Sequence, residues 1–196
     1  MVTRVCVLRN SREYNPKHVQ WLAKQVPGLV CLSDAPVEGV PTIPLRHNWP
    51  GWWAKMELFR PDINGDLLYF DIDTVVIGDV SALEVGKSAM LSDFYRPELP
   101  ASGLMYIAQD DKDAVWREFT RDPAYHMRRC QTRDRWGDQG FLKDVFDYNR
   151  WDAIAPGKIV SYKVHCKHGV PDGACVVCFH GKPRPWDSGT DWVPVL

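Results

Sequence analysis

The strongest limit on how this chain can fold comes from the run Leu67-Leu68-Tyr69-Phe70-Asp71-Ile72-Asp73. Its continuous apolar part predicts a buried β-strand, and two acids follow directly. Residues i and i+2 of a strand lie on the same face, so the side chains of Asp71 and Asp73 can converge on one site. Burying two carboxylates without a partner would be costly. The run therefore indicates a place where the sheet binds a positively charged group.

Two hard carboxylate oxygens at the carboxyl end of a parallel strand suit Mg²⁺ or Mn²⁺, with phosphate oxygens and water completing the coordination shell. Ligands of open α/β sheets bind at that edge. The simpler interpretation is that Asp71 and Asp73 only terminate a strand, because Asp-x-Asp is common by chance. The apolar strand in front of the pair favours the metal site.

The order of apolar runs predicts an α/β fold. Residues 2–8 indicate a strand, residues 17–25 a helix and residues 29–32 a second strand, which is the start of a parallel sheet. No repeat or interdomain linker interrupts the pattern, so residues 1–196 are predicted to form a single domain. The later predicted elements are helices over 52–59, 112–120 and 139–148, and strands over 66–73, 88–93, 104–108, 158–165 and 174–180.

Composition excludes several classes of protein. The formal net charge is −1, so no global positive field attracts nucleic acid or an anionic membrane. No apolar segment has the length of a membrane span, and Cys6 and Cys31 lie in apolar runs, so a cytoplasmic protein without integral membrane association is expected. Six arginines within residues 117–135 form a local exception; they indicate a solvated face or, alternatively, a surface that docks an acceptor or follows phosphates.

A second pattern lies near the end of the chain, where an apolar run leads into His180-Gly181-Lys182. Imidazole is a suitable third ligand for a Mn²⁺-like metal. Glycine lets the backbone approach a phosphate, and lysine can neutralise a diphosphate leaving group. The alternative is a strand followed by a basic, proline-rich turn.

Taken together, these patterns resemble the retaining GT-A glycosyltransferases related to glycogenin and the bacterial lipopolysaccharide galactosyltransferases, glycosyltransferase family 8. The similar segments occur in the same order between residues 52 and 186. They are WAKMELFRP at 53–61, YFDIDTVVIGDVSAL at 69–83, SGLMYI at 102–107, WGDQG at 136–140 and the closure from His180 to Trp186. The resemblance implies a GT-A fold, which is Rossmann-like with a mixed, mostly parallel central sheet flanked by helices.

The resemblance also implies roles for single residues. Asp71, Asp73 and His180 would be the metal ligands, Gly181 and Lys182 would contact the diphosphate, and Lys55 and Ile72 would lie at the nucleotide-sugar donor. Asp93 would hold a donor-sugar hydroxyl, and Asp138 and Gln139 would lie beside the anomeric carbon or the acceptor. Asn10 and Tyr14 would face the base. The implied donor is a UDP-sugar, and the implied acceptor is a glycan. The arginine-rich stretch at 117–135 and the compact size leave a hydroxymethylated DNA base open as the other acceptor.

The chain departs from the family pattern in the closure, which the family spaces as His-x-x-Gly-x-x-Lys-Pro-Trp, and in Ser102, where the family has asparagine.

Two other functions stay open. Cys166, His168, Cys175 and Cys178 have the spacing of a zinc knuckle, which would suit a non-catalytic nucleotide-sugar or nucleic-acid binding module with a structural zinc. If residues 174–180 are a strand, however, Cys175 and Cys178 point to opposite faces. A metal-dependent phosphohydrolase is the other alternative, but its acid pair would follow the first strand.

Overall fold

A computed structural model describes residues 2–196 of the chain, and a seven-stranded sheet forms its centre in the order β10-β6-β7-β4-β1-β2-β3. The strands of the fold are β1 (Thr3–Leu8), β2 (Val30–Ser33), β3 (Thr42–Pro44), β4 (Leu67–Phe70), β5 (Thr74–Val76), β6 (Ala89–Ser92), β7 (Pro100–Ile107), β8 (Gln131–Thr132), β9 (Arg135–Trp136), β10 (Asn149–Arg150), β11 (Ile159–Ser161) and β12 (Val176–Cys178).

Helices flank the sheet. The α-helices are α1 (Pro16–Ala23), α2 (Lys112–Arg121), α3 (Pro123–Arg129), α4 (Gly137–Val145), α5 (Trp151–Ile154) and α6 (Tyr162–His165). The 3₁₀ helices are Gly51–Phe59, Ser81–Leu83, Gln109–Asp111 and Pro185–Asp187. In the described part of the chain, no helix combines the length and the hydropathy that a bilayer crossing requires.

The predicted α/β class is confirmed. Strand β1 pairs in parallel with β2 and β4, β2 pairs in parallel with β3, and β7 joins as an antiparallel neighbour of β4 and β6. A capping box starts α1, because the Asn15 side chain accepts a bond from the Lys17 amide while the His18 ring accepts one from the Asn15 amide. The single-domain organisation stays a prediction.

Strand β4 is buried on both faces, as its continuous apolar sequence predicts. Leu68 and Phe70 belong to one core cluster, and Leu67 and Tyr69 belong to the cluster on the other side of the sheet. The alternation follows the two-residue period of a strand. Strand β4 is thereby fixed in the middle of the sheet, and the residues after Phe70 emerge at its carboxyl edge.

A small second sheet, β11-β12-β5, joins the end of the chain to the acid pair. Strand β12 pairs antiparallel with β5, with Cys178 opposite Thr74. Since Thr74 follows Asp73 directly, this pairing brings the segment after β12 to the acids. It is the structural basis for joining the two sequence patterns in one site.

Some element boundaries differ from prediction. The helix predicted at 52–59 is a 3₁₀ helix, and the strand predicted at 104–108 already begins at Pro100. The prediction of one strand over 158–165 is wrong in its second half. The strand ends at Ser161, whose Oγ accepts from the Val164 amide at 3.2 Å and so caps helix α6.

Candidate functional site

A cavity of about 610 Å³ opens where several strands end. Arg9 follows β1, Asp71 follows β4, Asp93 follows β6 and Phe179 follows β12, and all four line the cavity. This is the carboxyl edge at which open α/β sheets bind ligands. Of the residues predicted to act, the cavity is lined by Tyr14, Lys55, Asp71, Ile72, Asp73, Asp93, Asp138, Gln139, His180 and Gly181.

Both acids of the pair line this cavity, although the geometry differs from the expected one. Strand β4 ends at Phe70, and the Asp71 carbonyl accepts from the Thr74 amide at 3.1 Å, so the acids sit on a turn. The argument that they share a strand face is therefore wrong. Gly103 leaves room for the turn, because a Cβ there would lie 3.2 Å from Asp71 Oδ2.

Each of the two carboxylates has its own protein partners. Asp71 Oδ1 lies 3.0 Å from Lys55 Nζ and accepts a bond from the Tyr69 hydroxyl. Asp73 Oδ2 accepts from the Tyr14 hydroxyl at 2.8 Å and from Arg184. Burial, and then the charge of Asp71, raise the pKa of Asp73 to about 6. When both carboxylates are ionised, the neighbouring lysine and arginine therefore do not fully compensate their negative charge.

Lys55 connects the acid pair to Asp138. Its Nζ lies 3.5 Å from Asp138 Oδ2 and donates to Ser102 Oγ at 3.2 Å, and Ser102 Oγ donates to Asp138 at 2.6 Å. Burial acts to lower the pKa of Lys55, but Asp138 and Asp71 outweigh it and raise the pKa above its usual value. Lys55 therefore stays charged and holds the two carboxylates at fixed positions.

The closure at 180–186 is arranged differently from the prediction. The Lys182 side chain is 73% exposed and lies 3.8 Å from Glu13, outside the cavity lining. Arg184 lines the cavity instead, with a side chain only 14% exposed and ion pairs to both Glu13 and Asp73. The signal for Arg184 was in the sequence, because Arg184-Pro185-Trp186 corresponds to the Lys-Pro-Trp end of the family pattern.

His180 also lines the cavity. Its Nε2 is 2.7 Å from Ser161 Oγ, and its ring stacks on Phe94 with centroids 5.4 Å apart. Burial and the nearby Lys163 lower the pKa of His180, so the imidazole is neutral near pH 7. A neutral imidazole is the form that binds metals.

Two further predicted residues differ in their placement. Asn10 lies outside the cavity lining, where its backbone amide donates to Asp34 at 2.8 Å. Asp93 lies inside, and its Oδ1 accepts from the amides of Tyr95 and Arg96, each at 2.9 Å. Those bonds fix the Asp93 carboxylate at the cavity wall.

Charge is the best test of whether a divalent cation fits. Five acids line the cavity (Glu13, Asp71, Asp73, Asp93, Asp138) against three basic residues (Arg9, Lys55, Arg184), which leaves two negative charges. No group of three His, Cys, Asp or Glu side chains among residues 2–196 is arranged to hold a metal by itself. This finding applies to the predicted set Asp71, Asp73 and His180 and also to the cysteine–histidine set at 166–178. Mg²⁺ takes one or two carboxylates and completes its shell with substrate phosphates and water. Asp71 and Asp73 fit that mode.

The chain matches no protein-family model, and the comparison with curated proteins found no match. Its fold is similar to that of solved glycosyltransferases. GlyE of Streptococcus pneumoniae TIGR4 has a TM-score of 0.63 and 14% identity over 94% of this chain and 56% of its own. A glycosyltransferase involved in glycosylation of the major capsid of PBCV-1 has a TM-score of 0.60 and 12% identity, covering 95% of this chain and 96% of its own.

An active-site mutant of LgtC is similar as well, with a TM-score of 0.58 and 13% identity over 96% of this chain and 90% of its own. The chain spans just over half the length of GlyE and nearly the whole length of the other two. These similarities confirm the predicted GT-A fold.

Proposed function

We propose that this chain is a metal-dependent glycosyltransferase of the family 8 kind, active as a single domain, which uses a nucleotide-sugar donor. The observation that carries the proposal is the acidic cavity at the carboxyl edge of the sheet, where Asp71 and Asp73 meet Lys55 and Arg184 within a fold that solved glycosyltransferases share. One similar structure is LgtC in complex with donor and acceptor sugar analogs. A UDP-sugar donor and retention of the anomeric configuration follow the resemblance to family 8.

Asp71 and Asp73 would hold Mn²⁺ or Mg²⁺ together with the donor diphosphate. His180, which the sequence predicts as a third ligand, does not form a metal-binding group with the two acids among residues 2–196, and its Nε2 lies 2.7 Å from Ser161 Oγ. When bound, the cation would act as a Lewis acid that stabilises charge on the departing diphosphate. Arg184, rather than Lys182, is the basic side chain of the protein that would stabilise the negative charge on the departing diphosphate. Gly181 has φ +75°, a backbone conformation that side chains rarely adopt and that lets the chain pass close to a phosphate.

The remaining lining residues would position the sugar. Asp93 and Asp138 accept hydrogen bonds from hydroxyls, and Gln139 both donates and accepts. In the reaction, the acceptor oxygen bonds to the anomeric carbon, the bond from that carbon to the diphosphate oxygen breaks, and the proton of the acceptor hydroxyl passes to the released diphosphate. Tyr14 lines the same cavity from the loop after β1, where its hydroxyl donates to Asp73, and we retain it as a residue that would face the base.

A saccharide is the better acceptor than a modified DNA base. The arginine-rich stretch would have to supply the phosphate contacts for DNA. Four of its six arginines are already in ion pairs with neighbouring carboxylates: Arg117 with Asp113, Arg121 with Glu118, and both Arg129 and Arg135 with Asp144. Three carboxylates therefore offset half of the positive charge of the six arginines, and four of the guanidinium groups are already engaged within the protein.

Asp73→Ala tests the function directly. Mn²⁺-dependent hydrolysis of UDP-sugars, and the rise in melting temperature with a nucleoside diphosphate plus Mn²⁺, should both be lost in this variant. The exposed Asp172→Asn is the matched control and should behave like the wild type. Full hydrolysis by Asp73→Ala, or a wild-type protein that ignores every sugar nucleotide with Mn²⁺, would refute the proposal.

A further inference from the structure

Two indole rings stand at the mouth of the cavity. Trp52 is 47% exposed and Trp136 is 52% exposed, and both line the cavity. Their ring centroids lie 6.0 Å apart with an angle of 46° between the planes. Large exposed apolar side chains beside a polar cavity indicate a binding surface, because apolar area that stays in contact with water contributes nothing to the stability of the fold.

The indoles are fixed to the segment that carries the polar residues of the cavity. Gly137, between Trp136 and Asp138, has φ +60°, and a Cβ there would lie 2.7 Å from Trp52 Nε1. Trp52 therefore lies directly against the backbone at the start of α4, the helix that carries Asp138 and Gln139. A group stacked on the two rings would be adjacent to those two side chains.

Building on the proposed function, we propose that Trp52 and Trp136 form the acceptor subsite and that their occupant is the pyranose ring of a neutral saccharide. The C–H face of a pyranose packs against an indole, while its hydroxyls need polar partners at the edge of the ring. Gln139 lines the same cavity, and its amide can donate to one hydroxyl and accept from another.

The charges near the rings favour a saccharide over a nucleobase in DNA. Arg96 lies 2.6 Å from Asp134, and Arg135 lies 3.0 Å from Asp144, so two of the basic groups close to Trp136 already have acidic partners. A DNA strand would need cations along its backbone next to the stacked base. A neutral sugar needs none.

The test measures binding of methyl glycosides to the full-length protein by saturation-transfer NMR and calorimetry, in the presence of UDP and Mn²⁺. The C–H protons on one face of the bound pyranose should receive the strongest saturation. Trp136→Ala and Trp52→Ala should each weaken glycoside binding about tenfold or more, and Trp136→Phe should weaken it less, because a smaller ring remains. Tyr125→Ala removes an equally exposed aromatic ring outside the cavity and is the control.

Melting curves establish that each variant is folded before its affinity is compared. Unchanged glycoside affinity in folded Trp136→Ala and Trp52→Ala would overturn the proposal. So would tighter, tryptophan-dependent binding of an oligonucleotide carrying 5-hydroxymethylcytosine, which would assign the rings to a base. Loss of the UDP and Mn²⁺ response in the wild type would instead refute the proposed function, because glycoside binding to the two rings is measured separately.

Discussion

Two groups of buried charges lie at the 3₁₀ helix Gly51–Phe59, and they differ in what satisfies them. Glu57 is 0% exposed and belongs to the first group. Its two oxygens accept from the amides of Arg46 and His47, each at 2.8 Å, and from the guanidinium of Arg60. Arg60 donates further to Asp62 and to the Pro44 carbonyl. Every charge in this closed cluster has protein partners.

The second group, two residues earlier on the same helix, is open. Lys55 bridges Asp71 and Asp138, but the five acids and three basic residues around the cavity do not balance. Burial and a neighbouring carboxylate raise the pKa of Asp73, which means that its ionised form is destabilised by its surroundings. The closed cluster therefore stabilises the fold, whereas the open one leaves negative charge that its protein partners do not compensate.

The largest effect is expected in the closed cluster. Glu57→Gln leaves the Arg60 guanidinium buried without its main counter-charge, which should lower the free energy of unfolding by about 3–5 kcal/mol. Urea denaturation measures this. The control is Asp62→Asn, because Asp62 is the exposed partner of Arg60, at 39% of its side chain, and the loss there should be under about 1 kcal/mol. Equal losses in the two variants would contradict the distinction between closed and exposed partners.

Substitutions at the open cluster should affect turnover more than stability. Arg184→Ala removes the buried cation beside Asp73 and should lower kcat/KM for UDP-sugar hydrolysis roughly 100-fold. Lys182→Ala, two positions away and exposed, should change it less than about threefold. Steady-state kinetics at saturating Mn²⁺ compares the variants. A larger loss in the Lys182 variant would show that the sequence-based assignment of the diphosphate cation was right.

The smallest expected effect has the opposite sign. Because the pKa of Asp73 is raised to about 6 from 3.8, its ionised form opposes folding above pH 6, and this cost disappears as the pH falls toward 4. Asp73→Asn should therefore stabilise the metal-free protein at pH 7 by about 1–3 kcal/mol, with no gain near pH 4. Urea denaturation in the presence of EDTA at several pH values measures the difference in free energy of unfolding between Asp73→Asn and the wild type. If Asp73→Asn is instead less stable than the wild type at pH 7, the Asp73 carboxylate is satisfied by its protein partners, as the charges of the closed cluster are.

Much of the fold was predictable because its signals are local. The apolar run at 67–70 predicted a buried strand, and the strand–helix–strand order of the first residues predicted the parallel pairing of β1 and β2. Helix α6 was missed for a local reason as well: the Ser161 cap that ends β11 depends on one side-chain bond, which an apolar run does not indicate.

The site was only partly predictable. The segments that contribute Asp71, Asp138 and His180 were found from motifs, and all three side chains line one cavity. The motif spacing also suggested a zinc knuckle, but in the described residues the cysteines and histidine at 166–178 form no metal-binding group. Spacing along the chain cannot show whether side chains converge, because convergence depends on where the strands end.

By itself the sequence determined the sheet elements, the acid pair and the polar residues of the later motifs, since hydrophobic periodicity and strand ends are local properties. Only the tertiary structure decided which cation faces the acids. Arg184 and Asp73 are 111 residues apart in the sequence, and the pairing of β12 with β5 brings their segments together, while the Lys182 side chain is 73% exposed. Long-range strand pairing sets such contacts, and no pattern of neighbouring residues contains it.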